Sequence, residues 1–318
     1  MNKLYLHVGM PKTGTSYLQA FFNLNAESIR DKHEVFVLRN RVPHNIACAH
    51  IFEKKLVDRV DISKLSLEVS AAELNSQVEE AANFKSCICS SEYFSLSRKS
   101  SVVDFFSKHF DEIEVVYTVR RQDKLLASGY NQDVKALGRT SNLTWNVDDP
   151  LMNYYSNVSE WKSLGCKVSI FNYDVLKSAS NGLEKTFLSL LDISSSVDEF
   201  ILPGKDGANS SLRRNEVLLK LALNRAGVED CKVLNEFIEV NSGDVEFQLP
   251  RIYEKAILGY YAESNKKFVE SFCKGEGYED FYTIDPLSNS SRGFEWDPLR
   301  EAGAVMAYLI SKLSGDCE

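Results

Sequence analysis

The stretch Leu4-Tyr5-Leu6-His7-Val8-Gly9-Met10-Pro11-Lys12-Thr13-Gly14-Thr15-Ser16 limits what this chain can fold into more than any other. The apolar run Leu4 to Val8 has the length and character of a buried strand. It breaks at Gly9, passes through a short loop holding Pro11, Lys12 and Gly14, and opens into an amphipathic helix from about Thr15 to Asn25. A strand, a glycine loop and a helix N-terminus in that order form a cradle for a phosphate-like anion. Loop N–H groups turn inward, and the helix dipole adds partial positive charge at the same place.

The rest of the first half repeats the same alternation. Short strands are expected at His33–Leu38, Cys87–Ser90, Ile113–Val119 and Val168–Phe171. Helices are expected at Asn45–Val57, Leu67–Asn83, Val102–Phe110, after Arg120-Arg121-Gln122-Asp123 to about Leu137, and at Met152–Leu164. Strands alternating with helices imply a parallel sheet covered on both faces, hence an α/β, three-layer fold. Ligands on such sheets sit beyond the carboxyl ends of the strands, so the chain at Gly9, Ser91 and Arg120 is expected to converge. From about Phe200 the character changes to loop residues followed by helices at Arg214–Ala226 and Arg251–Phe272, with no convincing strand. The expectation is a single domain over 1–318, with an α/β core at about 1–200 and a helical C-terminal part at about 201–318 packed on it.

The loop differs from the nucleotide P-loop, Gly-x-x-x-x-Gly-Lys-[Ser/Thr], at one decisive place. Gly9, Gly14 and Ser16 have the right spacing, but the lysine position is Thr15, and the loop's lysine is Lys12. A kinase needs that lysine on the β/γ-phosphates and a hydroxyl on magnesium. A donor without a γ-phosphate needs neither. A degenerate P-loop kinase and a non-catalytic nucleotide-binding protein are the alternatives.

Pro11-Lys12-Thr13-Gly14-Thr15-Ser16-Tyr17-Leu18 resembles the 5′-phosphosulfate loop of the sulfotransferases that use 3′-phosphoadenosine 5′-phosphosulfate (PAPS). A second element fits the same family. Val115 to Val119 is a strand ending in Arg120, and Ser128 follows eight residues later on the next helix. In the family this pair grips the donor's 3′-phosphate, and guanidinium and hydroxyl suit phosphate oxygens. A strand-end arginine paired with an acid would carry the same local signature. The segment Asn209-Ser210-Ser211-Leu212-Arg213 resembles the Asn-x-Ser-Leu segment of bacterial relatives, which makes Ser211 and Arg213 further candidates for the 3′-phosphate. The family's Arg-Lys-Gly segment is missing, and Arg121 departs from its usual Arg-Asn-Pro.

The resemblance, strongest to bacterial carbohydrate-type sulfotransferases, implies a P-loop NTPase-like fold. It implies PAPS as co-substrate, no metal, and a hydroxyl acceptor such as a carbohydrate or glycolipid. Pro11, Lys12, Thr13, Gly14, Thr15 and Ser16 would hold the 5′ side, with Lys12 also catalytic. Glu92, after the Cys87–Ser90 strand, and His44, in the polar segment after the second strand, are the two candidates for the base. His7, within the first strand, is read as a core histidine. The segments 39–50 and 138–150 are expected to set the acceptor.

Composition limits the partners. A formal net charge of −8 argues against broad nucleic-acid binding or a polybasic membrane anchor. No run reaches the roughly 18 apolar residues of a membrane-spanning helix. The fold is expected to begin at the N-terminus without a signal peptide, and seven scattered cysteines match neither a zinc site nor a disulfide framework. A cytoplasmic protein with reduced thiols is expected.

Overall fold

The structure, a computed structural model, describes residues 1–39, 41–50, 71–144, 149–204, 211–228, 234–235, 238, 246–273 and 277–282. The expected helical residues 51–57 and 67–70, and the Asn209-Ser210 part of the C-terminal motif, lie outside them. The described chain forms two compact units, and each draws on segments from both sides of residue 200.

The first unit comprises 1–120, 149–204 and 263–281. Its centre is a sheet of five strands: β1 (Lys3–His7), β2 (Val35–Leu38), β3 (Ser86–Ser90), β4 (Glu112–Val119) and β5 (Lys167–Asn172). They lie in the order β2-β3-β1-β4-β5, every pair parallel. Helix α1 (Thr15–His33) crosses from β1 to β2. Helices α2 (Val42–Ala49) and α3 (Ala71–Ala81) precede β3, and α4 (Lys99–Phe106) leads to β4. Helix α5 (Gln122–Ala136) belongs to the second unit, and α6 (Tyr154–Ser163) leads into β5. Two short helices, α7 (Tyr173–Ser178) and α8 (Gly182–Leu190), follow β5 directly.

The two-residue period of the strands sorts side chains to the two faces. On one face Tyr5, Ile88 and Val116 pack with Leu18, Phe21 and Phe22 of α1 and with Phe187 and Leu188 of α8. On the other, Tyr117 of β4 accepts a hydrogen bond at its hydroxyl from the Trp161 indole N–H of α6, at 2.9 Å, with both residues buried. Helices on both faces of an all-parallel sheet make this a three-layer α/β fold of the P-loop-like kind. The glycine loop stands at the switch between the order's two directions, beyond β1.

The second unit, among the described residues of 121–148 and 205–262, has its own small core. Tyr130 and Val134 of α5 pack with Val217 and Leu221 of α9 (Arg214–Arg225) and with Leu212, while Phe247 stacks on Tyr130. Asn131 pins Leu212 through both ends of its amide, donating to the carbonyl at 2.6 Å and accepting from the N–H at 3.1 Å. The final long helix, α10, spans Arg251–Phe272. Outside the sheet, Arg213 forms an isolated antiparallel bridge with Glu246.

Candidate functional site

The loop leaves β1 through Gly9, whose φ of +82° is open to glycine at little cost. It stays laced to β4: Met10 N–H donates to Thr118 O at 3.0 Å, and Thr118 N–H donates to Gly9 O at 2.8 Å. Lys12 is also left-handed at φ +67°, a conformation that a non-glycine residue holds only when its surroundings impose it. Thr13 and Thr15, both buried, donate their hydroxyls to the same carbonyl, Met10 O, at 2.6 and 3.2 Å. Those hydroxyls brace the turn, so what the two threonines can offer an anion is their backbone N–H. Ser16 is exposed. Gly14, at φ +79°, is the N-cap of α1, and no side chain caps the helix start. The first-turn N–H groups of an uncapped helix are the donors an anion needs.

Two neighbours close on the loop. A Cβ built on Gly9 would lie 3.1 Å from Glu92 Cβ, so the Glu92 turn rests directly on the loop's first residue. Ser91 N–H donates to His7 O at 3.0 Å, which fixes the end of β3 to β1, and the Ser91 side chain caps the short helix beginning at Glu92. Glu92 makes no ion pair among the described residues. Its carboxylate instead lies 3.5 Å from Gln19 Nε2 of α1, an amide that also donates to Ser90 O at 3.1 Å. His44, on α2, is hydrogen-bonded through Nδ1 to Ser91 Oγ at 2.6 Å, and its ring packs 5.1 Å from that of Tyr93. Burial lowers its pKa, the Glu92 charge opposes that, and Arg41 adds to it. His44 therefore tends to the neutral form, which can accept a proton.

On the other side, a Cβ on Gly14 would meet Leu183 at 3.0 Å and the Tyr173 ring at 3.1 Å. Tyr173 carries the contact onward, because the Arg120 guanidinium lies 5.4 Å from the centre of its ring. Arg120 Nε donates to Asp174 at 3.0 Å, and the Arg120 backbone carbonyl accepts from Tyr154 OH at 2.6 Å. Arg120 is thus both paired with an acid and held on the wall that covers Gly14. The Asp174 contact uses Nε, and the two terminal nitrogens are the ones left to meet an anion.

The first unit therefore gathers Pro11 to Ser16, His44, Glu92 and Arg120 about one loop. Ser128, Ser211 and Arg213 all fall in the second unit. Ser128 is half-buried on α5, one turn before the Asn131 that pins Leu212, so these three belong to one neighbourhood. Arg213 starts α9, with its N–H bonded to Glu216 at 2.6 Å. Arg121 is no solvated charge: Asp123 grips it at 2.7 and 2.9 Å, and Glu254 at 3.0 Å. His7 is fully buried between Ser90 and Thr118, as a core histidine should be.

Three residues of the site were not singled out from sequence: Gln19, Tyr173 and Asp174. The last two follow β5, and the rule that strand ends point at the ligand, applied to a further strand, would have found them. Gln19 carries no such signal; only the packing of α1 on β3 brings it to Glu92.

The class that fold and loop define is a three-layer, P-loop-like α/β protein with a glycine loop between β1 and an uncapped helix. No protein-family model matches the chain, and no curated protein matches it. Among solved structures, a sulfotransferase from Alicyclobacillus acidocaldarius is similar at a TM-score of 0.41 and 12% identity, over 71% of this chain and 93% of that one. Among the described residues no helix is long and apolar enough to cross a membrane.

Proposed function

We propose that this protein transfers a sulfuryl group from PAPS to a hydroxyl of an acceptor, a carbohydrate or glycolipid. The observation that carries the reading is the loop itself. Its lysine sits at position 12 in a left-handed turn ahead of an uncapped helix, and the P-loop lysine position is occupied by Thr15, whose buried hydroxyl is spent on Met10 O. A γ-phosphate reader is poorly served by that arrangement. A 5′-phosphosulfate, with one bridging oxygen to neutralise, suits it.

In this reading the α1 first-turn N–H groups, Gly14 and Ser16 hold the 5′-phosphate, and Lys12 faces the bridging oxygen. Arg120 takes the 3′-phosphate. The acceptor oxygen attacks sulfur in line, a new S–O bond forms, and the bond from sulfur to the bridging oxygen breaks. That oxygen leaves with the electron pair on 3′-phosphoadenosine 5′-phosphate, and the acceptor proton passes to Glu92, with His44 beside it. Such a loose transfer is governed by positioning and by charge stabilisation on the leaving oxygen.

Titration calorimetry with 3′-phosphoadenosine 5′-phosphate is the test. Binding without magnesium, and stronger than that of ATP with magnesium, is the expected result. ATP binding in its place would overturn the proposal.

A further inference from the structure

Ser91 stands between the two candidate bases, one residue before Glu92 and hydrogen-bonded to the ring of His44. It is fully buried, and its hydroxyl has two partners among the described residues. As the cap of the short helix beginning at Glu92, Ser91 Oγ accepts the Tyr93 N–H at 3.2 Å. The other partner is His44 Nδ1 at 2.6 Å. A backbone N–H can only donate, so the first bond uses a lone pair of Oγ and leaves its single proton to be placed. If Nδ1 carried a proton too, Oγ would accept twice, and its own O–H would meet nothing in a group shut off from water. A buried donor left in that way is costly. The arrangement that satisfies every group has the Ser91 O–H donating to a bare Nδ1. The imidazole proton then sits on Nε2.

We infer that Ser91 is a positioning residue that fixes His44 as its Nε2–H tautomer, so that His44 donates a hydrogen bond to the acceptor and Glu92 alone is the base. The division of roles rests on the sulfuryl-transfer reading above; the tautomer does not. A neutral imidazole takes up a proton at its bare nitrogen. In His44 that nitrogen faces Ser91 at hydrogen-bond distance, which leaves no room for a substrate between them. Protonation there would also reverse the bond to Ser91 and strand the serine O–H. Burial favours the neutral ring and so keeps the arrangement in place. Nε2, on the edge of the ring away from Ser91, has no hydrogen-bond partner among the described residues, and His44 is half-buried. Its N–H is suited to holding an oxygen of the acceptor while the reacting hydroxyl passes its proton to Glu92.

The first test is two-bond proton–nitrogen NMR of the full chain with nitrogen-15 histidine, in mildly alkaline buffer. His44→Gln identifies the His44 signals. Nδ1 should resonate as a bare, hydrogen-bonded nitrogen and Nε2 as a protonated one. The reverse pattern, or an averaged pair, overturns the inference. In Ser91→Gly, a change that a helix N-cap tolerates, the two signals should move toward each other as the tautomers mix. Unchanged signals would show that Ser91 does not set the tautomer. The second test is transfer from PAPS to octyl β-glucoside, or to water where that probe is not used. Glu92→Gln should lower kcat by about 10² to 10⁴, the range for a lost general base. His44→Gln sets an amide N–H near the place of Nε2–H and should cost less than about tenfold. A loss as large as that of Glu92→Gln makes His44 a base and overturns the assignment. Ser91→Gly should cost nothing further in a His44→Gln background, since a positioning residue acts through its partner; additive losses overturn its role. Failure of the wild type to bind 3′-phosphoadenosine 5′-phosphate strikes the parent reading instead, and the spectrum still decides the tautomer.

Discussion

Lys12 holds two properties in one residue, a positive charge and a left-handed backbone, and they can be separated. Glycine adopts φ +67° without a Cβ penalty, though it loses more chain entropy on folding. The two effects oppose, so Lys12→Gly should keep the thermal stability within about 1 kcal/mol of wild type. Turnover should fall by about 10² to 10³, the usual loss when a pre-organised group facing a developing charge is removed. Stability by denaturant melts and kcat by product release check the pair; a variant that loses stability and keeps its rate would show the lysine to be a loop brace. Gly9 makes the complementary case. An alanine there meets strain at φ +82° and the Glu92 turn at 3.1 Å, whereas alanine at Gly138, φ +65°, meets no atom within 4 Å. Both substitutions carry a backbone cost of order 1–3 kcal/mol. Gly9→Ala alone should also displace Glu92 and lower kcat, and equal activity of the two variants would remove Glu92 from the mechanism.

At the scale of elements, the β1–loop–α1 unit is legible because each of its signals is local: an apolar run, two glycines and a helix start. The helix end is not. Asn25 looks like a stop, yet α1 runs on to His33, since the Asn25 amide is taken by the backbone of Ile201, at 2.8 Å on each side. Tertiary contact overrides propensity there. The helix closes at Glu34, left-handed at φ +56°, where no glycine marks the boundary. Helices α7 and α8 are short, and they escape a periodicity reading for that reason, although α7 carries the Tyr173 ring onto Gly14 and Asp174 onto Arg120, and α8 carries Leu183 onto Gly14. That last contact has a measurable consequence. Asp174→Asn keeps an oxygen for Arg120 Nε and removes a negative charge from beside the proposed 3′-phosphate contact. Affinity for 3′-phosphoadenosine 5′-phosphate should rise severalfold, most at low ionic strength. Adenosine 5′-phosphate, lacking the 3′ group, should gain little. Calorimetry with both nucleotides checks this, and an equal gain for the two would place Arg120 elsewhere than on the 3′-phosphate.

Across the molecule, the chain's parallel sheet makes one demand on solution conditions. His7 ends β1 in the middle of the sheet, fully buried, its ring edge against Phe187 at 5.0 Å and its nitrogens toward Ser90 and Thr118. Burial holds its pKa down at about 3. In the unfolded chain the same imidazole titrates near the ordinary value of about 6.5. Above that pH both states are neutral and His7 contributes nothing to the pH dependence. Below it the unfolded state binds a proton that the folded state refuses, so stability falls as the pH drops, by about 1.4 kcal/mol per unit between roughly 6 and 3. Carboxylates add their own slopes in acid, so the contribution is isolated by difference. His7→Gln keeps a polar group for Ser90 without a titratable ring and costs some stability at pH 7. From pH 7 to pH 5 its stability should fall by about 2 kcal/mol less than that of wild type, as one proton's worth of linkage disappears. Urea melts at the two pH values, followed by a probe in the sheet-bearing unit, measure the difference. Parallel losses in wild type and variant would mean that His7 is reached by water and protonated in the folded protein. The end of β1, on which the loop and the Ser91–Glu92 turn both hang, would then be looser than its hydrogen bonds to β3 and β4 imply.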